Sequence, residues 1–278
     1  MKFEINLVFH GGTAMGVPAQ ILAHREVAKD IFFLELLAPE IAGSAVPGQF
    51  IHVRCKNLYD PLLRRPFSLS LIDRAAGTVS IVYEVRGKGT LLLTAYSEGQ
   101  FLDILGPLGK GFEISTLGPE NRAVLLGGGV GAAPMAALAQ ALANSRLRNI
   151  SVLLGAASKE KLFPGNLFTG SGAEIFLATD DGSQGHQGMV TQLLPQFVSG
   201  EAEGCVVFAC GPRGMLKAVA EYCLSKNIPC QLSMEAVMAC GVGACQGCAC
   251  RVRGEYGNDF ARVCKEGPVF HARDVVWE

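Results

Sequence analysis

The sequence predicts three units in a row: an antiparallel β-barrel or sandwich, a parallel α/β sheet, and a small cysteine-bearing segment at the C-terminal end. Three observations carry this. Short β-rich runs separated by turn signals fill the region from about Ala19 to Ile114. Apolar runs alternating with helical stretches follow, as in a sheet covered on both faces. Five of the ten cysteines then crowd between Met234 and Phe270. The expected boundaries are 1–118, 119–232 and 233–278, and the chain shows no internal repeat.

A chain of 278 residues has room for two domains and a small third. With 49% hydrophobic residues and a net charge of −1, it presents no basic surface for nucleic acid or for a membrane face. "MKFEINLVFH" carries Glu4 and Asn6 and is broken by Gly11-Gly12, so it does not read as a secretory leader. No apolar run reaches the roughly 18–20 residues of a membrane span. The expected compartment is the reducing cytoplasm, where clustered cysteines bind metal more often than they pair.

In the first unit, "IFFLELLA", "QFIHVRC", "FSLSLID" and "TVSIVYEV" read as strands, with Pro47-Gly48 and Ala76-Gly77 as turns between them. "LLLTAYSEG" predicts a short helix, and "FLDILGPL" a further strand before the glycine-broken "GKGF". Residues 1–17 read as an extension with no assigned role. In "LRRPFSLS", an arginine, an aromatic and a serine on one strand (Arg65, Pro66, Phe67, Ser68) can turn a guanidinium and a hydroxyl toward a common ligand. Gly89-Thr90 can meet a phosphate. On these residues alone, a strand with a surface arginine is the competing reading.

The second unit opens with "RAVLLGGGVG", a strand ending in glycines, followed by "AAPMAALAQALANS", an alanine-rich helix. "NISVLLGAAS", "AEIFLATDDG" and "GCVVFACGP" are further strands, and "MLKAVAEYCLSKN" a further helix. Gly127 to Gly131 lie between strand and helix, so the N–H groups of Gly128, Gly129 and Gly131 would face a bound phosphate. The spacing Gly129-x-Gly131-x-x-Pro134 departs from G-x-G-x-x-G, but proline suits a first helical turn. Ligands of such sheets sit at the carboxyl ends of the strands. Asp180 and Asp181 are therefore candidates for a ribose, with capping of the next element as the competing reading. Cys210, Gly211 and Pro212 end another strand and are candidates for the same nucleotide.

Cys240, Cys245, Cys248 and Cys264 read C-x4-C-x2-C-x15-C. Two C-x2-C knuckles, usual for structural zinc, are missing. The bacterial 4Fe–4S run ends in Cys-Pro, whereas Lys265 follows Cys264 here. The spacing is that of plant-type 2Fe–2S sites. Gly241, Val242, Gly243 and Ala244 let the backbone curl and bring N–H groups to the sulfurs. Cys250 shares a strand face with Cys248 and competes with it as third ligand, and the spacing favours Cys248. Cys55, Cys205, Cys223 and Cys230 are expected as small buried hydrophobes.

The arginine–aromatic–serine strand, the G-x-G-x-x-P helix start and the C-G-P together resemble the ferredoxin–NADP reductase superfamily. With the cysteine tail, the chain from about Pro18 onward resembles the electron-transfer subunits of type B dihydroorotate dehydrogenases. The resemblance rests on "RRPFS", "GGGVGAAPM", "DDGSQGHQG", "CGPRGML", "MEAVMACGVGACQGCAC" and "VCKEGPVF". It implies a ferredoxin-reductase-like barrel holding FAD along Arg65–Ser68, Val82, Tyr83, Glu84, Gly89 and Thr90. It also implies an NAD-binding α/β unit, with Cys210 near the nicotinamide, and a 2Fe–2S cluster on Cys240, Cys245, Cys248 and Cys264. The implied partner is an FMN-containing catalytic subunit that oxidises dihydroorotate, with two copies of each chain in a heterotetramer. Electrons would pass from FMN to the cluster, to FAD and to NAD+, in pyrimidine biosynthesis.

The chemistry agrees. Nicotinamide exchanges two electrons as hydride and a 2Fe–2S centre exchanges one, and a flavin converts between them. His10, His24, His52, His186 and His271 are scattered and read as surface or structural residues, with only His186 in a ligand-type loop. No dihydroorotate-oxidising site is expected on this chain. Two alternatives stand beside this reading. Small subunits of NADH-dependent ferredoxin–NADP oxidoreductases share the three cofactors, but one of their cluster ligands is an aspartate. A zinc-stapled, non-catalytic binding module would be colourless rather than yellow-brown.

Overall fold

The computed structural model describes residues 16–56, 59–198, 204–254 and 257–277. His10 and the expected extension up to residue 15 lie outside the described residues. Six strands close the first unit: β1 (Val17–Ala28), β2 (Ile31–Leu37), β3 (Phe50–Arg54), β4 (Arg65–Asp73), β5 (Thr78–Glu84) and β6 (Phe101–Leu108). Their order is β1-β2-β5-β4-β3-β6, and β6 returns to pair antiparallel with β1, so the barrel has no free edge.

Side-chain alternation sets the two faces of each strand. On β3, Ile51 and Val53 join the barrel core with Leu34, Leu69, Ile81 and Ile104. Phe50 points the other way and packs with the second unit. Two short helices, α1 (Pro39–Ser44) and α2 (Lys88–Leu93), lie on the connections. The helix expected over "LLLTAYSEG" starts earlier and ends at Leu93. Thr90 Oγ1 explains the start, since it accepts from the N–H groups of Arg86 (3.0 Å) and Gly87 (3.2 Å).

The second unit carries β7 (Arg122–Gly128), β8 (Asn149–Ala156), β9 (Glu174–Thr179), β10 (His186–Gln187), β11 (Cys205–Cys210) and β12 (Cys230–Ser233), all parallel. Helices α3 (Ala133–Asn144), α4 (Leu194–Val198) and α5 (Arg213–Ser225) accompany them. Ala123 and Leu125 face the α3 side, and Val124 and Leu126 face the α5 side. Burial on both faces is why these strands read as continuous apolar runs. Cys205, Cys223 and Cys230 are buried in the α5-side core, and Cys55 in the barrel.

The final segment begins with the hairpin of β13 (Ala249–Gly254) and β14 (Gly257–Arg262). Its last strand, β15 (Val269–His271), then pairs antiparallel with β12, making the large sheet seven-stranded and mixed. Cys248, Val263, Cys264, Ala272 and Val275 share one core with α5. A segment this short buries too little to close a core alone. The expected division between 232 and 233 falls inside β12.

Side chains tie the units together. Gln231 accepts from Glu113 N (2.9 Å) and donates to Glu113 O (2.8 Å), standing in for a strand partner. Lys161 Nζ bridges Asp30 (3.1 Å) and Glu84 (3.2 Å) of the barrel. Phe112, on the linker, meets Phe208 of β11 edge-on at 5.5 Å. Among the described residues, no helix is long and apolar enough to cross a membrane. Phe208 is fully buried, so Phe208→Ala should cost about 3–5 kcal/mol of stability. A displaced urea unfolding midpoint at unchanged slope measures it, and a shift worth under about 1 kcal/mol would show that this contact is dispensable.

Candidate functional site

Strands β4 and β5, the start of α3 and the stretch Met234–Met238 enclose a cavity of about 270 Å³. Of the residues expected to hold FAD, Arg65, Pro66, Phe67, Ser68, Val82, Tyr83, Glu84 and Thr90 line it. Gly89 sits behind them, where a Cβ would meet Arg65 Nε at 3.2 Å. Arg65 Nη1 donates to Leu63 O at 2.8 Å, while its Nε and Nη2 take no hydrogen-bond partner among the described residues. That leaves half of the guanidinium fork for an anionic ligand. Tyr83 is committed inward, with its hydroxyl 2.9 Å from His24 Nε2. Burial works against the Glu84 carboxylate, yet hydrogen bonds from Arg86 and Lys161 hold it below the usual carboxylate range.

A second cavity, about 660 Å³, lies at the carboxyl ends of the parallel strands. Gly128, Gly129, Asp180 and Pro212 line it, and it shares Glu84, Arg86 and Val130 with the first, so the two spaces adjoin. Gly131 stands at their junction. A Cβ there would lie 2.6 Å from Gly211 Cα and 2.8 Å from Cys210 O, so two main chains touch where only glycine fits. Pro134 is buried in the first turn of α3 and lines neither cavity.

The two aspartates part company. Asp180 lines the second cavity, whereas Asp181 Oδ1 accepts from Ser183 N (2.9 Å) and Ser183 Oγ (2.6 Å) and caps its own turn. Cys210 is buried at the end of β11, lining neither cavity. Burial, then the nearby Glu235 charge, pushes its thiol up to about 12, so it stays protonated.

The four spaced cysteines converge. Cys245 is exposed, Cys240 half-buried, and Cys248 and Cys264 buried. Main-chain N–H groups point at the sulfurs: Gly243 N to Cys264 Sγ at 3.1 Å, Cys245 N to Cys240 Sγ at 3.4 Å, and Cys264 N to Cys248 Sγ at 3.5 Å. Burial opposes a Cys240 thiolate, but the N–H groups of Cys245, Val242 and Ala244 outweigh it and bring the thiol down to about 6. Burial and the adjoining Cys248 push Cys264 up to about 12.

Among the described residues, no three metal-ligating side chains meet at one point. Four thiolates shared between two irons need no such point, so the donor set fits a 2Fe–2S cluster. Cys250 faces elsewhere, into a third cavity with Arg213, Phe260 and Trp277. Arg262 braces the loop: Nη1 donates to Gly243 O at 2.7 Å, while Nε donates to Glu266 at 2.9 Å.

Several residues here escaped sequence reading. Met234, Glu235 and Met238 line the first cavity and Lys161 the second. Glu235 opens to solvent through the cavities but is ringed by protein, which raises its carboxyl, with Arg86 opposing. "MEAVMACG" was visible as a motif, but nothing in its spacing marked the glutamate. His52 is fully buried, and burial followed by the Arg64 charge holds its imidazole down at about 4, so it is neutral. His24, His186 and His271 are engaged with Tyr83, Gln192 and Glu113. Among the described residues, no histidine lines these three cavities.

Comparison with known proteins gives a consistent picture. Residues 235–276 match the iron–sulfur cluster binding domain of dihydroorotate dehydrogenase B, and residues 125–221 the oxidoreductase NAD-binding domain. The chain is 39% identical to the dihydroorotate dehydrogenase B (NAD(+)) electron transfer subunit of Desulforamulus reducens, over 94% of this chain and 98% of that one. It is 42% identical to the same subunit of Geobacillus thermodenitrificans, over 92% and 96%. Among solved structures, that of an NADH-dependent reduced ferredoxin–NADP oxidoreductase superposes with a TM-score of 0.80 at 29% identity, covering 96% of this chain and 92% of that one. A ferredoxin reductase from a carbazole dioxygenase system shares the fold at 21% identity, with a TM-score of 0.66 over 76% and 66%.

Gly131→Ala should force the α3 turn and the Cys210–Gly211 main chain apart, costing about 1–3 kcal/mol. A thermal melt measures this. An unshifted melt would mean that the two main chains separate freely.

Proposed function

Because the chain belongs to the family of dihydroorotate dehydrogenase B (NAD(+)) electron transfer subunits, we propose that it carries electrons from an FMN-containing catalytic subunit to NAD+ in pyrimidine biosynthesis. Its redox groups are a 2Fe–2S cluster and FAD. When bound, they convert between single electrons and the electron pair of a hydride. Arg65, Pro66, Phe67 and Ser68, with Val82, Tyr83, Glu84, Gly89 and Thr90, hold the flavin. Gly128, Gly129, Gly131 and Pro134 shape the helix start for the NAD pyrophosphate, and Asp180 takes the ribose. Asp181 supports that loop. Gly211 and Pro212 bound the nicotinamide end, backed by the neutral Cys210 thiol. Cys240, Cys245, Cys248 and Cys264 are the cluster ligands.

The observation that carries the reading is adjacency. The cysteine loop abuts the barrel wall, that wall lines the first cavity, and the first cavity adjoins the second. A relay needs these short separations, whereas a zinc staple needs none of them. Dihydroorotate oxidation belongs to the partner, in a cytoplasmic heterotetramer of two subunits of each kind. In support, Glu84, the carboxylate between the two cavities, is committed to Arg86 and Lys161.

Two experiments test this. Iron and sulfide analysis of Cys240→Ser, Cys245→Ser, Cys248→Ser and Cys264→Ser should show loss of the cluster, while Cys250→Ser keeps it. A cluster surviving Cys248→Ser but not Cys250→Ser would reverse the choice of third ligand. The second uses a cluster-free variant that still holds FAD and assembles with the catalytic subunit by gel filtration. It should oxidise NADH with an artificial dye yet fail to reduce NAD+ with dihydroorotate. Normal dihydroorotate-dependent NAD+ reduction would make the cluster structural and the proposed order of transfer wrong.

A further inference from the structure

His52 stands where the barrel wall of the first cavity and the cysteine loop meet. It lies on β3, paired in register with Pro66 of β4 and Leu105 of β6. Phe50, two residues before it on the same face, meets its ring edge-on at 6.5 Å. Phe50 and Pro66 both line the first cavity. Toward the loop, a Cβ on Gly241 would fall 2.5 Å from His52 Nδ1, and Gly241 adopts φ +73°. The imidazole is therefore wedged between the cavity wall and the residue after Cys240.

The ring is fully buried, and neither nitrogen has a hydrogen-bond partner. Gly241 follows Cys240 directly, so the Cys240 main chain adjoins the ring without meeting it in a hydrogen bond. A buried, unpartnered imidazole is costly where leucine or phenylalanine would fill the same space without penalty. The arrangement makes chemical sense if a small movement of the loop supplies the missing acceptor.

We propose that His52 is a positioning residue for the cluster loop, its ring N–H donating to the Cys240 carbonyl in the cluster-loaded protein. This rests on the reading of Cys240 as a ligand. The hydrogen bond would pin that ligand's main chain to a rigid barrel strand and so fix the loop against the flavin cavity. It would also keep water out of the gap between them. Groups outside the ligand set that orient the ligands typically change metal retention by 10–100-fold when removed.

The test compares His52→Phe, which keeps a ring and removes the donor, with His52→Asn, which keeps a donor. Three quantities are measured on the purified holoprotein: FAD content, iron release to a ferrous chelator, and the electron paramagnetic resonance spectrum of the reduced protein. Both variants should retain FAD. His52→Phe should release iron roughly tenfold faster, with shifted g values, and His52→Asn should restore both toward the wild type. His52→Phe matching the wild type, or both variants impaired alike, would overturn the proposal while leaving the cluster reading intact. Wild-type protein without iron and sulfide would overturn both. Should His52→Phe fail to fold, His52→Gln and His52→Met give the same comparison with flexible side chains, judged by the same outcomes.

Discussion

The geometry of the molecule depends on a main-chain junction at Gly267–Pro268. On one side Lys110, just past the last barrel strand, donates its N–H to Gly267 O at 2.6 Å. On the other, Met234, just past β12, donates to Pro268 O at 2.8 Å. The contact is close enough that a Cβ on Gly109, at φ +74°, would sit 2.5 Å from Pro268 Cδ. Barrel, parallel sheet and cysteine segment thus meet within a few residues of Cys264, and Pro268 itself lines the first cavity. Side chains swing between rotamers, but hydrogen-bonded main chain does not, so the separation of the cysteine loop and the first cavity is set by the stiffest parts available.

Around this junction the charges divide the work. At the loop, main-chain N–H dipoles face the cysteine sulfurs, an arrangement suited to holding excess negative charge, and the Arg262 guanidinium braces the loop through the Gly243 carbonyl. Arg262 is itself neutralised by Glu266, whose carboxyl it holds down at about 2. Its Nε and Nη2 are held on Glu266 while its Nη1 stays on the Gly243 carbonyl. At the other end, Lys161 and Arg86 converge on Glu84, where the two cavities adjoin. That network crosses between barrel and sheet through Asp30 as well. The same ion pairs that shape the cavity mouth also hold the two units in register.

Much of this was legible in the sequence, for reasons that can be named. The period-two runs of β2 and β5 and the glycine-ended strand before α3 are local patterns, and local physics writes them into the sequence. The cysteine spacing is legible because thiolate geometry restricts the loop. Barrel closure through β6 and β1 is not, since it joins residues far apart with no local signal. Nor is β15, three residues long, whose antiparallel pairing with β12 turns a parallel sheet mixed. Asp180 and Asp181 look alike in sequence, and only the Asp181 turn separates them. His52 read as structural because its role depends on which loop folds across the outside of the barrel.

Cys248 and Cys250, equivalent by strand period, take different surroundings in the fold. The strand period alone would put Cys250 on the face of Cys248, about 6.6 Å further on. To take the place of Cys248, the hairpin would have to slide by that distance. It is pinned against such a slide: Cys250 pairs with Ala261, Val252 bridges to Val275, and Val276 N donates to Arg251 O at 3.1 Å. Cys248 stands just before the ladder, where its carbonyl accepts from Val263 N at 3.1 Å and its sulfur from Cys264 N at 3.5 Å. The hairpin therefore fixes Cys250 on the ladder, in a cavity lined by Arg213 and Trp277.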